Sequence, residues 1–365
     1  MREESDEHIR PLRSGFTTGA CATACTVAAA SYMFSGESPN KARITLPKGQ
    51  NVDFDIVYSR ILSHENSGFV ESVQSATIKD AGDDPDVTHG ALIMVSVKKV
   101  SSHGVRFCAG EGVGTVTKAG LLLPVGEPAI NPVPRAMMTQ HLKLIAEKNN
   151  YKGGFELTVA IEKGEALAKK TMNARLGIMG GLSILGTTGI VKPFSCSAYI
   201  ASIYQGIDVA RANGLQHIAV CTGSTSEAAV QQYYQLPDMA IIEMGDYVGA
   251  VVKHLAKAPI AKLTLAAGFG KLSKLAAGHM NLHSSSSVID FKQFAEFASK
   301  LGAQSSTRQK IEQANTSEEV LQICTAQEIP IVQYIGEQAK RFLRSKLPDT
   351  IDLNIVIVDR SGMIL

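Results

Sequence analysis

The sequence predicts a two-domain protein of mixed class: an N-terminal mixed α+β domain over residues 1–175, then a doubly wound, mostly parallel α/β sheet domain over residues 176–365. Three observations carry this expectation. A chain of 365 residues exceeds the ~100–200 residues of one domain. Hydrophobic residues make up 45% and charged residues 19%, enough apolar surface to bury cores rather than stay disordered. The first half mixes strand and helix patterns irregularly, whereas beyond about residue 176 short apolar runs alternate with helical stretches, as parallel strands joined by crossovers do.

Within the first half, residues 43–46 and 52–59 read as strands, because Val52, Phe54 and Ile56 alternate with polar neighbours at the two-residue period of a half-buried strand. Residues 91–100 and 155–161 are also β-rich. Residues 134–149 place Met137, Met138, Leu142 and Ile145 at helical spacing behind a first-turn proline. In the second half the strand candidates are 183–185, 217–221, 239–243, 262–266 and 354–358. Ser224 with Glu227, and Thr316 with Glu319, fit the capping box that opens a helix. Ligand loops of such a sheet lie at the carboxyl ends of its strands, here 186–189, 222–224, 244–246 and 267–270.

Thirty-six Lys and Arg against 34 Asp and Glu leave a formal charge of +2, no large field for nucleic acid or an anionic membrane. Residues 1–11 are too charged for a secretory signal, and the least charged stretch, 176–191, holds five glycines and falls short of the ~20 apolar residues of a spanning helix. A cytoplasmic location is expected. Six cysteines with no CxxC pair argue against disulfides and structural zinc. Cys21 and Cys25 lack the third cysteine of a radical iron–sulfur motif, since position 28 is Ala28.

Several segments bear chemistry. Residues 14–24 hold Thr17, Thr18 and Gly19 ahead of a run of small side chains, which suits either a helix start that binds an anion or N-capping with close helix packing. Thr-Thr-Gly recurs at Thr187, Thr188 and Gly189, behind Gly186. Residues 80–90 crowd Asp80, Asp83, Asp84 and Asp86 ahead of His89, a source of a general base or the content of a solvated loop. Glu111 sits in a Gly-rich turn at 110–114. Residues 126–135 present Glu127, Asn131 and Arg135 from a proline-stiffened loop, as site or as connector. His279 and His283, four apart, could share a helix face, but no HExxH glutamate accompanies them. Gly268-Phe269-Gly270-Lys271 looks like a Walker loop, yet Leu265 and Leu272 break the pattern.

Taken together and in order, residues 12–24, 80–90, 110–120, 126–135 and above all 164–195 resemble the cobalt-precorrin-5B C1-methyltransferase (CbiD) family. Asn173-Ala174-Arg175-Leu176-Gly177 ahead of the glycine turn is part of that likeness. Two departures stand out: Phe16 and Ala20 where the family more often has Tyr and Thr, and Ala174 in place of proline. The resemblance implies S-adenosylmethionine-dependent methylation of ring carbon C1 of cobalt-precorrin-5B, giving cobalt-precorrin-6A in anaerobic cobalamin biosynthesis. Cobalt would arrive inside the substrate, and the protein would hold no metal of its own.

On that basis the first domain is expected to take the corrinoid, with Thr17, Thr18, Gly19, Asn131 and Arg135 as substrate contacts, joined by His279 and His283 of the second domain. Asp83, Asp86, His89 and Glu111 are the candidates for moving a proton. S-adenosylmethionine is expected in the second domain at Gly186, Thr187, Thr188, Gly189, Thr222, Gly223 and Ser224, with Glu243 and Asp246 for ribose hydroxyls. Partners would be the corrinoid alone, without nucleic acid or membrane, and a homodimer is left open. The rival readings are a non-catalytic tetrapyrrole carrier or scaffold, and an α/β enzyme acting on another polyanion.

Overall fold

A computed structural model describes residues 11–65, 68 and 70–365, so all but one residue of the charged N-terminal segment lies outside the described residues. The chain divides into two units, Met1–Cys196 and Ser197–Leu365. The division expected at 175/176 thus falls about twenty residues later. The cause is pairing: the glycine-rich stretch 176–193 supplies two short strands to the first unit.

The first unit runs β1 (Gly15–Phe16), α1 (Thr18–Ser35), β2 (Lys41–Thr45), β3 (Asn51–Asp55), β4 (Tyr58–His64), β5 (Val70–Ile78), β6 (Leu92–Val100), β7 (Val105–Ala109), β8 (Thr115–Val116), α2 (Pro132–Lys148), β9 (Gly154–Ile161), α3 (Gly164–Ala168), β10 (Ile178–Met179) and β11 (Ile190–Val191). Its main sheet has the order β4-β5-β6-β9-β7, antiparallel except for β7 beside β9. Val73, Val95, Val97, Leu157 and Val159 come from its inward face at the expected period of two and are fully buried. Against them lies α1, whose residues 18–30 are all Ala, Cys, Thr or Gly except Val27. Small side chains let its axis approach both the sheet and α2, and Cys21, Ala22, Ala24 and Cys25 are inaccessible. β2 and β3 form a separate hairpin. Beyond the glycine-rich turn at 110–114, β8 pairs with β10, sixty residues on, and also bridges antiparallel to Pro128 through Thr115.

In the second unit, α4 (Cys196–Ala212) leads into β12 (His217–Cys221), α5 (Ser224–Tyr234), β13 (Ile241–Glu243), α6 (Val248–Leu255), β14 (Lys262–Gly268), α7 (Phe269–Ala276), α8 (Phe291–Lys300), α9 (Ser305–Glu312), α10 (Ser317–Ala326), α11 (Ile331–Arg344) and β15 (Asp352–Val358). The four strands are all parallel in the order β13-β12-β14-β15. Four of the five strand candidates are here. The fifth, 183–185, belongs to the first unit, where Ile184 makes only an isolated bridge to Ile130.

Crossover handedness explains how the helices are shared between the two faces. A parallel crossover is almost always right-handed, so a step across the sheet in one direction puts its helix on one face and a step back puts it on the other. Only β12 to β13 steps one way, and α5 packs alone on that face through Ala229 and Val230 against Ala219, Cys221 and Ala266. The other two steps run the opposite way. Their helices, α6 to α11, join α4 on the second face against Ile218, Val220, Leu263 and Leu265.

The two predicted helix starts differ in detail. Thr316 caps α10, accepting from Glu319 N–H at 3.1 Å while Glu319 Oε2 accepts from Asn315 N–H at 2.9 Å. Ser224 instead begins α5 behind Gly223, with no capping bond from a side chain, because Gly223 occupies the cap position. Thr316→Ala is therefore expected to cost about 1 kcal/mol in urea unfolding, whereas Ser224→Ala should cost only a few tenths.

Candidate functional site

Each unit gathers some of the predicted residues. In the first, Thr17 is the N-cap of α1, its Oγ1 accepting from Ala20 N–H at 3.2 Å. Gly19 N–H donates to Leu185 O at 3.2 Å, Cys21 N–H to Thr17 O at 3.1 Å, and Thr17 N–H to Gly189 O at 3.0 Å. The amides of Gly19, Ala20 and Cys21 are thus engaged within the protein. Of the two readings left open for this helix start, capping and close packing accounts for these three amides, and Thr17 and Thr18 are buried.

Pairing of β1 with β11 sets the two Thr-Thr-Gly triplets side by side. Gly186, Thr187, Thr188 and Gly189 therefore belong to the first unit, not to the parallel sheet as expected. At Gly186, φ is +129° and a Cβ would run into the Thr17 side chain, so glycine is needed both for backbone conformation and for close approach. Thr188 Oγ1 donates to Ile190 O at 3.1 Å, and Thr187 is exposed. Asn131, at the start of α2, donates its N–H to Ile184 O at 2.9 Å while its side chain makes no capping bond. The starts of α1 and α2 thus flank the same segment, 184–189. Arg135 is occupied inside the proline-rich loop: Nε donates to Ile130 O at 2.7 Å, Nη2 to Pro128 O at 3.0 Å, and Nη2 pairs with Glu127 at 2.8 Å.

The acidic loop is braced from within. Asp80 receives Arg13 in a two-pronged pair, with Nη2 to Oδ1 at 2.8 Å, and Asp83 accepts Arg13 N–H at 2.6 Å. Asp84 accepts Phe194 N–H at 3.0 Å. Gly82, with φ +70°, lies so near Arg13 and Ser14 that a Cβ would strike their backbone. Asp86 pairs with Lys79, which is 1% exposed and also donates to Thr88 Oγ1 at 2.6 Å. The hydrogen-bonded Arg13 guanidinium, with the Gly82 amide, lowers the Asp80 carboxyl to about 2. For Asp86, burial acts to raise the carboxyl, but the Lys79 ammonium and Thr88 outweigh it and hold the group below its ordinary value.

His89 borders this cluster, its Nδ1 3.9 Å from Asp80 Oδ1. Its Nδ1 accepts Ala81 N–H at 3.1 Å, so the neutral ring carries its proton on Nε2, and the side chain is half exposed. Glu111 is exposed in the turn after β7.

In the second unit a cavity of about 800 Å³ opens at the carboxyl edge of the sheet. It lies where the strand order reverses, between the ends of β12 and β14, the place at which open α/β sheets bind ligands. Thr222, Gly223, Ser224, Asp246 and His283 line it, as do the starts of α7 and α10. Three helix N-termini (α5, α7 and α10) therefore face one space, each with first-turn amides that have no partner within their own helix. Asp246 Oδ1 is buried; Lys271 Nζ lies 3.0 Å away as an ion pair, yet no well-angled hydrogen bond reaches that oxygen.

Glu243 lies outside the cavity. The Tyr199 hydroxyl, pushed up first by burial, is hydrogen-bonded to it. His279 and His283 do not share a helix face, since α7 ends at Ala276; His283 Nδ1 meets Ser285 Oγ at 2.7 Å. Sequence reasoning missed Lys274, Ser317, Glu318 and Arg360 in the lining. The strand candidate at 354–358 and the capping box at 316–319 were the signals that could have found the last three.

Two outcomes follow from the acidic loop. Asp80 has a folded pKa below its unfolded value of ~3.9, so its stabilisation is complete above that pH and is lost as pH falls toward about 2. Urea unfolding between pH 5 and pH 2 should show this acid limb, flattened in Asp80→Asn. Lys79→Ala leaves Asp86 without its cation, and because the Asp86 side chain keeps 26% exposure the cost should fall at the lower end of ~3–5 kcal/mol at pH 7.

A sequence model described as CbiD matches residues 5–193, and one described as CbiD, C-terminal domain, matches residues 281–365. Curated relatives match along the whole chain. A protein of Paraburkholderia phytofirmans named cobalt-precorrin-5B C(1)-methyltransferase is 54% identical over 365 residues, covering 100% of this chain and 99% of the relative. Proteins of the same name from Burkholderia lata and Pseudomonas syringae pv. tomato are 56% and 55% identical over 362 residues, covering 99% of this chain and 98% and 96% of theirs. A crystal structure titled cobalamin biosynthesis protein (cbiD) from Archaeoglobus fulgidus aligns with 70% of this chain and 76% of its own, at 26% identity and a TM-score of 0.38. The chain belongs to the CbiD family.

Proposed function

We propose that this chain is a cobalt-precorrin-5B C(1)-methyltransferase, the activity for which its full-length relatives are named, and that S-adenosylmethionine is its methyl donor. The observation that carries the donor's placement is the cavity at the strand-order reversal of the second unit. Its volume of about 800 Å³ lies within the ~300–1,000 Å³ of small-molecule sites. Its polar groups fit the donor too: the buried, unsatisfied Asp246 Oδ1 is an acceptor for a ribose hydroxyl, and the three helix starts offer amides to a carboxylate.

When bound, S-adenosylmethionine supplies an electrophilic methyl group on a sulfonium. The chain's own work is then to hold and orient, since transfer to a ring carbon gains most from fixed geometry and excluded water. Asp246 fixes the nucleoside end, and Thr222, Gly223 and Ser224 border it with backbone that a ligand can approach closely. Lys271, 3.0 Å from Asp246 Oδ1, holds that carboxylate in place.

We assign the macrocycle to the first unit, around the segment 184–189 where the starts of α1 and α2 meet. Polar groups with capacity left there are the Asn131 side chain and Thr187. Arg135, Thr17 and Thr18 shape this region rather than reach a ligand. Of the four proton-transfer candidates, His89 presents an exposed Nε2–H that suits a hydrogen bond to a macrocycle carboxylate, a binding contact. Asp83 and Asp86 are held in pairings that orient the loop, and Glu111 remains an exposed carboxylate on a separate turn.

Anaerobic incubation with cobalt-precorrin-5B and methyl-labelled S-adenosylmethionine should give a product heavier by one labelled methyl group on mass analysis. Binding of the corrinoid without methyl transfer would support a carrier instead. Asp246→Ala should weaken S-adenosylhomocysteine binding about tenfold or more by calorimetry, as loss of a hydrogen bond to a charged group does.

A further inference from the structure

Lys274, in the last turns of α7, is the least expected lining residue of the second unit's cavity. It is 8% exposed, and its Nζ makes one hydrogen bond, to Leu282 O at 3.0 Å. An ammonium has three donors, and among the described residues no carboxylate pairs with this one. A charge removed from water without a counter-ion is costly, so a buried lysine in this state is suited to an anion that arrives with a ligand. The helix starts of α5, α7 and α10 face the same space and favour negative charge as well.

The cavity also carries the opposite sign. Asp246, Glu318 and Asp359 border it against Lys271, Lys274 and Arg360, a balance of sign unlike the net positive lining that a nucleoside triphosphate needs. A ligand end bearing one carboxylate and one ammonium suits both kinds of group, and the amino-acid end of S-adenosylmethionine has that form. We infer that Lys274 is the specificity-determining residue for the donor, its ammonium receiving the α-carboxylate of the methionine moiety. This inference rests on the donor's placement in that cavity.

The test is calorimetric binding to the full-length protein of two ligands, S-adenosylhomocysteine and its decarboxylated analogue. Wild type should prefer the carboxylated ligand about tenfold or more. Lys274→Gln keeps a donor for Leu282 O but no charge, and should reduce that preference to about twofold while leaving the decarboxylated analogue within about threefold of its wild-type affinity. Lys274→Arg keeps the charge and should keep most of the preference. A preference that persists in Lys274→Gln, or equal weakening of both ligands, would overturn the inference and make Lys274 a structural strut. Should Lys274→Gln fail to fold, Lys274→Met gives the same comparison, and loss of folding in both would likewise make the lysine a strut. Failure of the donor's placement is seen separately, as wild-type affinity of Asp246→Ala for both ligands, whereas failure of the Lys274 inference alone leaves Asp246→Ala weakened.

Discussion

A single reversal of direction governs the second unit. The chain leaves β12 for β13 on one side and must then cross back to reach β14 on the other. Right-handed connections put the helices of these two steps on opposite faces, so the segments leaving β12 and β14 diverge. Neighbouring parallel strands whose helices share a face would close that space with side chains. Here it stays open, and β12 and β14 end on it by feeding α5 and α7, while the start of α10 reaches it from the helical layer. Site position and electrostatic character both follow from strand order.

The first unit depends on close approach of main chain to main chain. Its long buried helix can lie against both sheet and neighbouring helix only because its side chains are small. The segment 184–189 can reach the start of that helix only because Gly186 has no Cβ. The hydroxyls and glycines that looked ligand-binding in the sequence are largely what such contacts require. The same substitution of backbone bonds for side-chain bonds explains why Thr17 and Gly19 are satisfied internally.

Much of the second unit could be read from sequence, since a parallel sheet announces itself locally: 217–221 and 262–266 are apolar runs closed by small residues, and both are strands. Thr222, Gly223, Ser224 and Asp246, expected from the rule that ligands sit at strand ends, do line the second unit's cavity. The misplacement of Gly186 to Gly189 has the opposite cause. The strand that follows them, Ile190–Val191, pairs with Gly15 and Phe16 about 175 residues away, and no local pattern distinguishes a two-residue strand of that kind from a strand end in a sheet. Lys274 escaped notice because burial of a lone lysine depends on tertiary packing. In the acidic loop, composition exposed the cluster but not the partners, Arg13 and Lys79, that take up its charge.

The interior of α1 has a further chemical consequence. Cys21 and Cys25 are wholly enclosed; burial pushes the Cys21 thiol up to about 12 and the Cys25 thiol well above its ordinary value, while Cys25 Sγ also meets Ile93 O at 3.3 Å. Thiolate is the reactive form, so neither sulfur can be alkylated or oxidised while the helix stays seated. Their reactivity toward a soluble electrophile is a built-in clock for transient opening of the first unit, ticking only when its innermost packing comes apart.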